Sequence, residues 1–246
     1  MKEKIYTIPV NEAFDQNGEC PLCALHKKLE SDTLNYILGS SYMEEDVRAE
    51  TDKYGFCKDH FRQMFQAGNR LGLALMLHTH LKKINKDIDK LLDEELKNSG
   101  QKKGLFKKES SALCDYITET SETCYACMHT ENTMKHYLDT ILFLWKTEPD
   151  FRKRIADSKG FCLEHLGDIL KEGRKKLNSA DYKALTETLV PIQKENFKRI
   201  EDELDWFIRK FDYRFQDEPW KNSKDAVERA IIKVASTSTD EPEKIR

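Results

Sequence analysis

The sequence predicts an all-α protein made of two pseudo-symmetric, metal-stapled helical repeats, followed by a long helix and a C-terminal helix. Three observations lead to this prediction. The 246 residues include only ten Gly and six Pro, too few for the many tight turns of a β-sandwich or barrel. Lys, Glu, Leu and Ala, which favour helix, are abundant, and 35% of all residues are charged. A group of cysteines and a histidine also occurs twice in the same order.

The repeat becomes visible when the stretch that begins at Cys20 is aligned with the stretch that begins at Cys124. Each stretch contains a Cys-x2-Cys pair and then, after 33 residues in the first copy and 34 in the second, a Cys-x-x-His motif that Gly-Phe precedes directly. Between these motifs, "EEDVR" at 44–48 falls on "EPDFR" at 148–152. A period near 104 residues indicates a duplication rather than a solenoid, and it predicts two like halves about a pseudo-twofold axis.

In the first half, composition predicts helices over 22–38 and 43–52, with Gly55 placed to end the second helix. A third helix is expected to start at Cys57 and to be long, because apolar residues recur in it at helical spacing. This stripe consists of Leu77, Leu81, Ile84, Ile88 and Leu91. His78 and His80 stand two positions apart in the same helix, so they face different directions and do not form a joint site.

The second half predicts helices over 126–146 and 149–158, the latter begun by Pro149 and ended by Gly160. A long helix over 180–213 follows, which Pro191 should kink or divide. Its apolar stripe consists of Phe197, Ile200, Leu204, Phe207 and Phe211. Asn222 or Ser223 can cap a last helix that runs to about Ala235.

These elements predict five segments. The first repeat covers 1–96, the second repeat covers 112–178, and the long and C-terminal helices cover 179–236. Residues 97–111, with two Gly and five Lys, are expected to be a flexible linker, and 237–246 a disordered tail. The apolar stripes of both long helices predict core packing or, alternatively, a surface for self-association or for a protein partner.

The repeated motifs have the spacing of metal ligands. A Cys-x2-Cys turn directs two thiolates at one ion, and Cys-x2-His places a thiolate and an imidazole on one face of a helix start. Two such half-sites form the tetrahedral Cys3His set that suits structural Zn²⁺. The sequence therefore predicts two Zn²⁺ ions held by eight ligands, which are Cys20, Cys23, Cys57, His60, Cys124, Cys127, Cys162 and His165.

Within-repeat pairing assigns Cys20, Cys23, Cys57 and His60 to one site and the other four residues to the second, although pairing across the repeats remains open. Three readings compete with zinc: an iron–sulfur cluster, a dithiol redox pair, and buried core thiols. Four protein ligands leave no open coordination position, so the expected role of the metal is structural.

Several further residues receive predictions. Asp59 and Glu164 precede the two ligand histidines and could orient the imidazoles, although an acid at a helix start is explained equally well by the helix dipole. Cys114 stands outside the repeats and is expected to be a small buried residue. His26 and His129 do not match in position between the copies and are expected at the surface.

The segment 210–230 could form a pocket or a partner surface through residue types that bind ligands well. These residues are Asp212, Tyr213, Arg214, Trp220, Asp225 and Arg229. The alternative is that the Trp fills a helix corner and Arg–Asp pairs brace it. No phosphate-binding loop, nucleophile elbow or His-Glu-x-x-His motif occurs, so nothing in the sequence requires an enzyme.

From Cys20 to the helix after Trp220, the chain resembles a domain-of-unknown-function family of mostly anaerobic, Gram-positive bacteria. The resemblance is carried by the two Cys-x2-Cys/Gly-Phe-Cys-x2-His repeats and by the later Asp-Tyr-Arg and Trp residues. It implies the repeat but no established activity. Some members are labelled automatically as transporter substrate-binding proteins, but the start "MKEKIYTIPVNEAFD" lacks the apolar region of a secretory signal.

Composition limits the partners. The net charge of -3 gives no general case for nucleic acid, although the Lys-rich linker could touch nucleic acid or an anionic membrane instead of acting as a tether. The longest aliphatic run, "LGLALML" at 71–77, is too short to span a bilayer. We therefore expect a cytoplasmic, non-catalytic interaction or regulatory scaffold. The alternatives are an iron–sulfur or dithiol redox protein and a sensor that binds a small ligand between the two repeats.

Overall fold

The computed structural model describes residues 3–99 and 110–237, and within these ranges it contains helices and no strand. The predicted all-α class is confirmed. In chain order the helices are α1 (Glu3–Asp15), α2 (Pro21–Leu38), α3 (Glu45–Tyr54), α4 (Lys58–Gln66), α5 (Arg70–Asn98), α6 (Ala112–Glu122), α7 (Tyr125–Thr147), α8 (Pro149–Ala156), α9 (Leu163–Lys176), α10 (Ser179–Arg209) and α11 (Ala226–Ala235). Short 3-10 turns lie at Ser41–Met43 and Tyr213–Phe215.

The contacts divide the chain into two compact units. Within the described ranges, the first unit combines residues 3–28 with 132–237, and the second combines 29–99 with 110–131. The boundaries fall inside α2 and α7, so each of these helices begins in one unit and ends in the other. The predicted linker 97–111 falls mainly on residues 100–109, which lie outside the described ranges, as do residues 238–246 of the predicted tail. The predicted segment boundaries therefore stay predictions.

The first unit is built around α10, which packs against α8, α9 and α11. Its most deeply buried large side chains include Trp145, Phe161 and Ile155, and Phe14 of α1 meets the rings of Phe151 and Phe161 edge-on. Burial of such aromatic side chains supplies much of the stability of a helical core. The N-terminal helix α1, which the sequence patterns did not predict, is therefore part of this core.

The second unit packs α3, α4 and α6 against the long helix α5. Its buried core consists of Leu34, Ile37, Leu38, Phe56, Met64, Leu73, Met76, Cys124 and Ala126. Within the described ranges, none of the helices in either unit combines the length and the apolar content that a bilayer crossing needs.

The long third helix predicted for the first copy is in fact two helices. Helix α4 ends at Gln66 and α5 begins at Arg70. Gly68 adopts a left-handed φ of 91°, and the Asn69 side chain caps α5 by accepting a hydrogen bond from the Gly72 amide at 2.9 Å. The Gly-Asn pair was the signal for this break, because glycine tolerates positive φ and asparagine is a favoured N-cap residue.

Other boundaries also differ from prediction. Helix α8 ends at Ala156, before Gly160, and α10 passes through Pro191 as one continuous helix rather than dividing there. The N-cap position of α11 is Asp225, not the predicted Asn222 or Ser223. Ser223 instead donates its hydroxyl to the Trp220 carbonyl at 2.7 Å, which makes the turn before α11. Helix α6 was not predicted.

The two Gly-Phe-Cys motifs need their glycines for conformation and for space. Gly55 and Gly160 take left-handed φ values of 59° and 73°. A Cβ at Gly55 would lie 2.5 Å from His80 Nε2, and a Cβ at Gly160 would lie 2.8 Å from Gln193 Oε1. Gly55 also ends α3, as predicted, by donating its amide to the Thr51 carbonyl at 2.9 Å.

This packing predicts that Gly55→Ala lowers the free energy of unfolding by about 2 kcal/mol or more. An alanine at this position strains the backbone at positive φ, and its methyl group displaces the His80 ring. Gly18→Ala is the matched control, since a Cβ at Gly18 meets nothing within 4 Å. We expect that control to stay within about 0.5 kcal/mol of the parent in denaturant unfolding. Equal effects of the two substitutions would contradict the role assigned to Gly55.

Candidate metal centres

The eight predicted ligands lie in two clusters of four. Site A contains Cys20, Cys23, Cys162 and His165 and lies within the first unit. Site B contains Cys57, His60, Cys124 and Cys127 and lies within the second unit. Within each site the four donor atoms all lie within 4.8 Å of one another. Each site could therefore hold one metal ion.

The predicted pairing within each repeat is wrong. Each site combines the Cys-x2-Cys turn of one copy with the Cys-x2-His helix start of the other copy. The helix lengths give a physical reason. In the first copy α2 has 18 residues and is about 27 Å long, whereas the returning helix α3 has ten residues and spans about 15 Å. In the second copy α7 has 23 residues and α8 has eight, so the mismatch is larger.

Site A is formed by two helix starts. Cys20 precedes α2 and Cys23 lies in its first turn, while Cys162 is the N-cap residue of α9 and His165 lies in that helix's first turn. Cys162 Sγ is 3.7 Å from Cys20 Sγ and 3.6 Å from Cys23 Sγ. His165 Nδ1 lies 3.5, 3.4 and 3.1 Å from the sulfurs of Cys20, Cys23 and Cys162.

Site B repeats this arrangement at the starts of α4 and α7. Cys57 is the N-cap residue of α4, and His60 lies in its first turn. His60 Nδ1 is 3.2 Å from the sulfurs of Cys57 and Cys124, and 3.5 Å from Cys127 Sγ. Cys57 Sγ and Cys127 Sγ are 3.9 Å apart.

These separations fit a tetrahedron around a single ion. Zn–S and Zn–N bonds of about 2.3 and 2.0–2.1 Å imply S···S edges of about 3.8 Å and S···N edges of about 3.5 Å. The S···S separations given above are 3.6–3.9 Å and the S···N separations 3.1–3.5 Å. A disulfide would bring two sulfurs to about 2.05 Å. The geometry therefore suits metal coordination and not sulfur–sulfur bonding.

The electrostatics of site B favour a thiolate. Burial opposes ionisation of the Cys124 thiol, but hydrogen bonds with His60 and with the backbone at Cys127 and Cys57 outweigh it and lower the pKa of Cys124 to about 6. Burial likewise opposes protonation of His60, but hydrogen bonds with Cys124 and Glu30 raise its pKa to about 10. A metal must therefore displace the imidazole proton when it binds at Nδ1, so metal affinity should rise with pH.

Site A shows the same division of charge. Hydrogen bonds with Cys20 and Cys23 lower the pKa of the Cys162 thiol, while the bond with Cys162 raises the pKa of the Cys23 thiol. Burial opposes protonation of His165, but its bonds with Cys162 and Cys20 raise its pKa to about 10. In both sites one thiol is already favoured as the thiolate, which is the form that binds a metal.

Site B has a carboxylate behind its histidine. Glu30 Oε1 lies 3.0 Å from His60 Nε2, the ring nitrogen that points away from the sulfurs. Gln63 Nε2 donates to the same carboxylate oxygen at 3.4 Å. A carboxylate in this position fixes the orientation of a ligating imidazole. Of the acids proposed from sequence for this task, Asp59 is exposed and pairs with Arg62 at 3.0 Å, and Glu164 is exposed.

Site A is instead held by the C-terminal helix α11. The ammonium of Lys233, only 1% exposed, donates to the carbonyls of Glu19 and Lys159, both at 2.6 Å. Glu19 directly precedes Cys20 and Lys159 precedes the Gly-Phe-Cys motif, so one cation joins the two ligand loops. Ser236 Oγ also donates to Cys162 Sγ at 3.1 Å. Sequence reasoning missed Lys233 and Glu30, because both contacts depend on packing between segments that are distant in the chain.

The candidate residues at 210–230 mostly make structural contacts. The ring of Trp220 packs against Phe207 and Phe211, with centroids 5.8 and 6.4 Å apart. The other contacts are an exposed pair between Arg214 and Asp212 at 2.7 Å, and a pair between Arg229 and Asp225 at 2.8 Å. Tyr213 is 82% exposed. A ligand-binding or partner-binding role for these six residues stays a prediction.

Of the single cysteine and histidine residues considered outside the two sites, one was predicted wrongly. Cys114 is exposed on α6, not buried, so it is not a core residue. His78 is exposed and His80 is buried, with its Nδ1 2.8 Å from the Asp52 carbonyl, which confirms that the two histidines face different directions. His26 and His129 are exposed, as expected.

The fold and the two sites define a class of protein: an all-α protein with two Cys3His clusters that could bind metal. Comparison with protein families makes the assignment particular. The model of DUF6062, a family of unknown function, matches residues 1–241, and the chain belongs to that family. The searches of curated proteins and of solved structures found no match.

Paired substitutions test the pairing of ligands across the repeats. We expect Cys20→Ser with Cys162→Ser to retain one equivalent of zinc, because both changes fall in site A. Cys20→Ser with Cys57→Ser damages both sites and should lose both equivalents. Pairing within the repeats would give the opposite pattern in metal analysis. Cys114→Ser, which lies in neither site, should retain both equivalents and serves as the control.

The carboxylate behind His60 predicts that Glu30→Gln weakens zinc binding at site B by about tenfold or more, with site A unchanged. Competition with a chromophoric chelator gives the two affinities separately. Asp59→Asn is the matched control, because it removes an acid that is exposed and paired with Arg62. A loss of affinity as large in the control would show that overall charge, and not the Glu30–His60 contact, matters.

Proposed function

We propose that this protein is a cytosolic scaffold with two structural Zn²⁺ sites and with an interaction or regulatory role rather than a catalytic one. One observation carries the proposal: eight donor atoms form two compact tetrahedral sets, each with three sulfurs and one Nδ1. A set of four protein ligands leaves no position for a water or a substrate, as in structural zinc sites.

The sequence separation of the ligands supports a structural role. In site A, Cys20 and Cys162 are 142 residues apart, and in site B, Cys57 and Cys127 are 70 residues apart. An ion that joins such distant segments restrains the unfolded chain and contributes its binding energy to folding. The metal would thereby set the positions of four helix starts, those of α2, α4, α7 and α9.

The compactness of the donor sets favours a single ion. An iron–sulfur cluster inserts several iron and sulfide atoms between its ligands, which then lie farther apart than the edges of one tetrahedron. A set of three thiolates and one imidazole suits zinc among the common single ions. A dithiol redox role would use a Cys-x2-Cys pair alone, whereas each pair here lies beside a third sulfur and an imidazole.

The state of the cysteines supports a cytosolic location. All seven are free thiols, as is usual in a reducing compartment. A protein partner, or self-association, is supported by the incomplete burial of the two apolar stripes: Leu81 of α5 is 52% exposed and Phe211, just beyond α10, is 72% exposed. These surfaces would be available to other helices.

Anaerobic purification followed by metal analysis and an absorption spectrum tests the proposal. We expect two equivalents of zinc per chain and no visible absorbance. Removal of the zinc with a strong chelator should lower the thermal unfolding midpoint, because the metal binds the folded chain. Iron with sulfide and a visible absorbance would establish the iron–sulfur alternative. An absence of bound metal together with redox-active thiols would establish the dithiol alternative.

A further inference from the structure

An apolar groove runs between α9 and α10 in the first unit, with a volume of about 310 Å³. Its apolar lining comes from Leu163, Leu166 and Leu170 of α9 and from Leu189, Val190 and Phe197 of α10. Leu163 and Val190 are 51% and 43% exposed. The three leucines of α9 follow one another at spacings of three and four, so they form one face of the helix.

Gly167 leaves this face of α9 without a side chain at one position, which lowers the surface there. Gly167 stands four residues after Leu163 and three before Leu170, so it shares their face. A Cβ added at Gly167 would meet nothing within 4 Å, whereas a Cβ at Gly173 in the same helix would lie 3.1 Å from Leu185. A glycine inside a helix destabilises the helix relative to alanine. Packing within the described residues explains Gly173 but not Gly167, which leaves room for something that approaches α9 from outside.

The charged residues that line the groove and the depression beside it have one sign. Lys194 lines the groove, and Lys171, Arg174 and Lys175 line a neighbouring depression that shares Leu170 with it. Among the described residues that line either depression, every charged one is cationic, although the chain as a whole carries a net charge of -3. The groove therefore favours an occupant with carboxylates beside its apolar surface.

Both walls of the groove are tied to site A. Leu163 and Leu166 each follow directly after a site A ligand, Cys162 and His165, in the first turn of α9. On the other wall, Gln193 accepts a hydrogen bond from the Phe161 amide at 3.1 Å and donates to the Phe161 carbonyl at 2.7 Å. A metal in site A would fix the turn that places the groove leucines.

We propose that this groove is the docking site for an amphipathic helix of a partner protein, one that carries acidic residues beside an aliphatic stripe. A groove between two helices accepts the side-chain ridge of a third helix. A second copy of this chain fits less well, because a twofold contact would bring the cationic edge against itself. A flat membrane surface does not fill a groove. The docking rests on the proposed function in one respect, which is that it requires zinc in site A.

The test uses the full zinc-loaded chain and three synthetic helical peptides of about 18 residues, or about 27 Å of helix. The first peptide carries a leucine stripe flanked by glutamates, the second has lysines in place of the glutamates, and the third keeps the glutamates but has glutamine in place of the leucines. Fluorescence anisotropy should show binding of the first peptide that is at least about tenfold tighter than binding of the other two.

Groove variants locate the binding. Gly167→Gln fills the approach to α9, and Val190→Glu places a charge in the groove; each should weaken the first peptide at least about tenfold. Both positions are exposed, so the unfolding midpoint should not fall. Ile208→Glu makes the same kind of change at an exposed site near the other end of α10 and should have no effect on binding. Lys194→Glu should shift the preference toward the lysine peptide.

Each contrary result overturns the proposal. Failure of the first peptide to bind, or binding unaffected by Gly167→Gln and Val190→Glu, would exclude the groove as the docking site. Binding of phosphatidylglycerol vesicles that is lost in the same variants would assign the groove to lipid. A dimer in solution that Val190→Glu dissociates would assign it to a second copy.

Zinc analysis of the same samples separates this proposal from the proposed function. Two bound zinc ions with no peptide binding would contradict the docking proposal and leave the proposed function intact. If the first peptide binds equally well to chain stripped of zinc, the groove stands and the metal requirement is wrong. If Cys162→Ser loses zinc from site A and peptide binding falls with it, while Cys57→Ser keeps peptide binding, the link between site A and the groove is established.

Discussion

The structure depends on one kind of contact, in which the Cys-x2-Cys turn of one copy meets the Cys-x2-His helix start of the other copy. Each such contact brings three sulfurs and an imidazole nitrogen to the corners of a small tetrahedron. Thiolates this close repel one another, so each cluster of three cysteines and one buried histidine needs a cation or protons among its donor atoms. The raised pKa values of His60 and His165, both about 10, are the sign of this demand, and a divalent ion meets it with four bonds.

The two sites have the same types of donor atom but different surroundings. Site B has Glu30 behind its imidazole, and the matching position of the second copy, ten residues after the first cysteine, is Met134, which cannot accept a hydrogen bond from His165 in the same way. Site A relies on Lys233, which crosses from α11 to the carbonyls before both half-sites. The same pattern of ligands therefore produces one site with a carboxylate behind its imidazole and one whose two ligand loops are joined by the buried cation of α11.

The sequence predicts what lies within one turn and misses what depends on packing. Cys162 and His165 fall on one face of a helix start because their spacing is three, and this needs no tertiary information. That spacing does not identify their partners, since the choice between Cys20 and Cys124 depends on how the helices that carry these cysteines pack against one another. The Gly-Asn pair at 68–69 is a sequence signal for a helix break, but the apolar stripe of α5 was assigned to a single helix that starts at Cys57. Lys233 reads as an ordinary surface residue until α11 is placed.

The groove depends on residues of α9 that differ from those at the matching positions of α4. In the repeat alignment, Gly167 of α9 corresponds to Arg62 of α4, and Leu170 corresponds to Phe65. In the first copy Arg62 pairs with Asp59, and the guanidinium of Arg70 lies 3.3 Å from the centre of the Phe65 ring. That face therefore carries an arginine side chain and a ring that is stacked with a second arginine. In the second copy the glycine leaves the equivalent face low and apolar, next to a site that fixes its first turn. The two helix starts therefore present different surfaces, one that carries arginine side chains and one that is low and apolar.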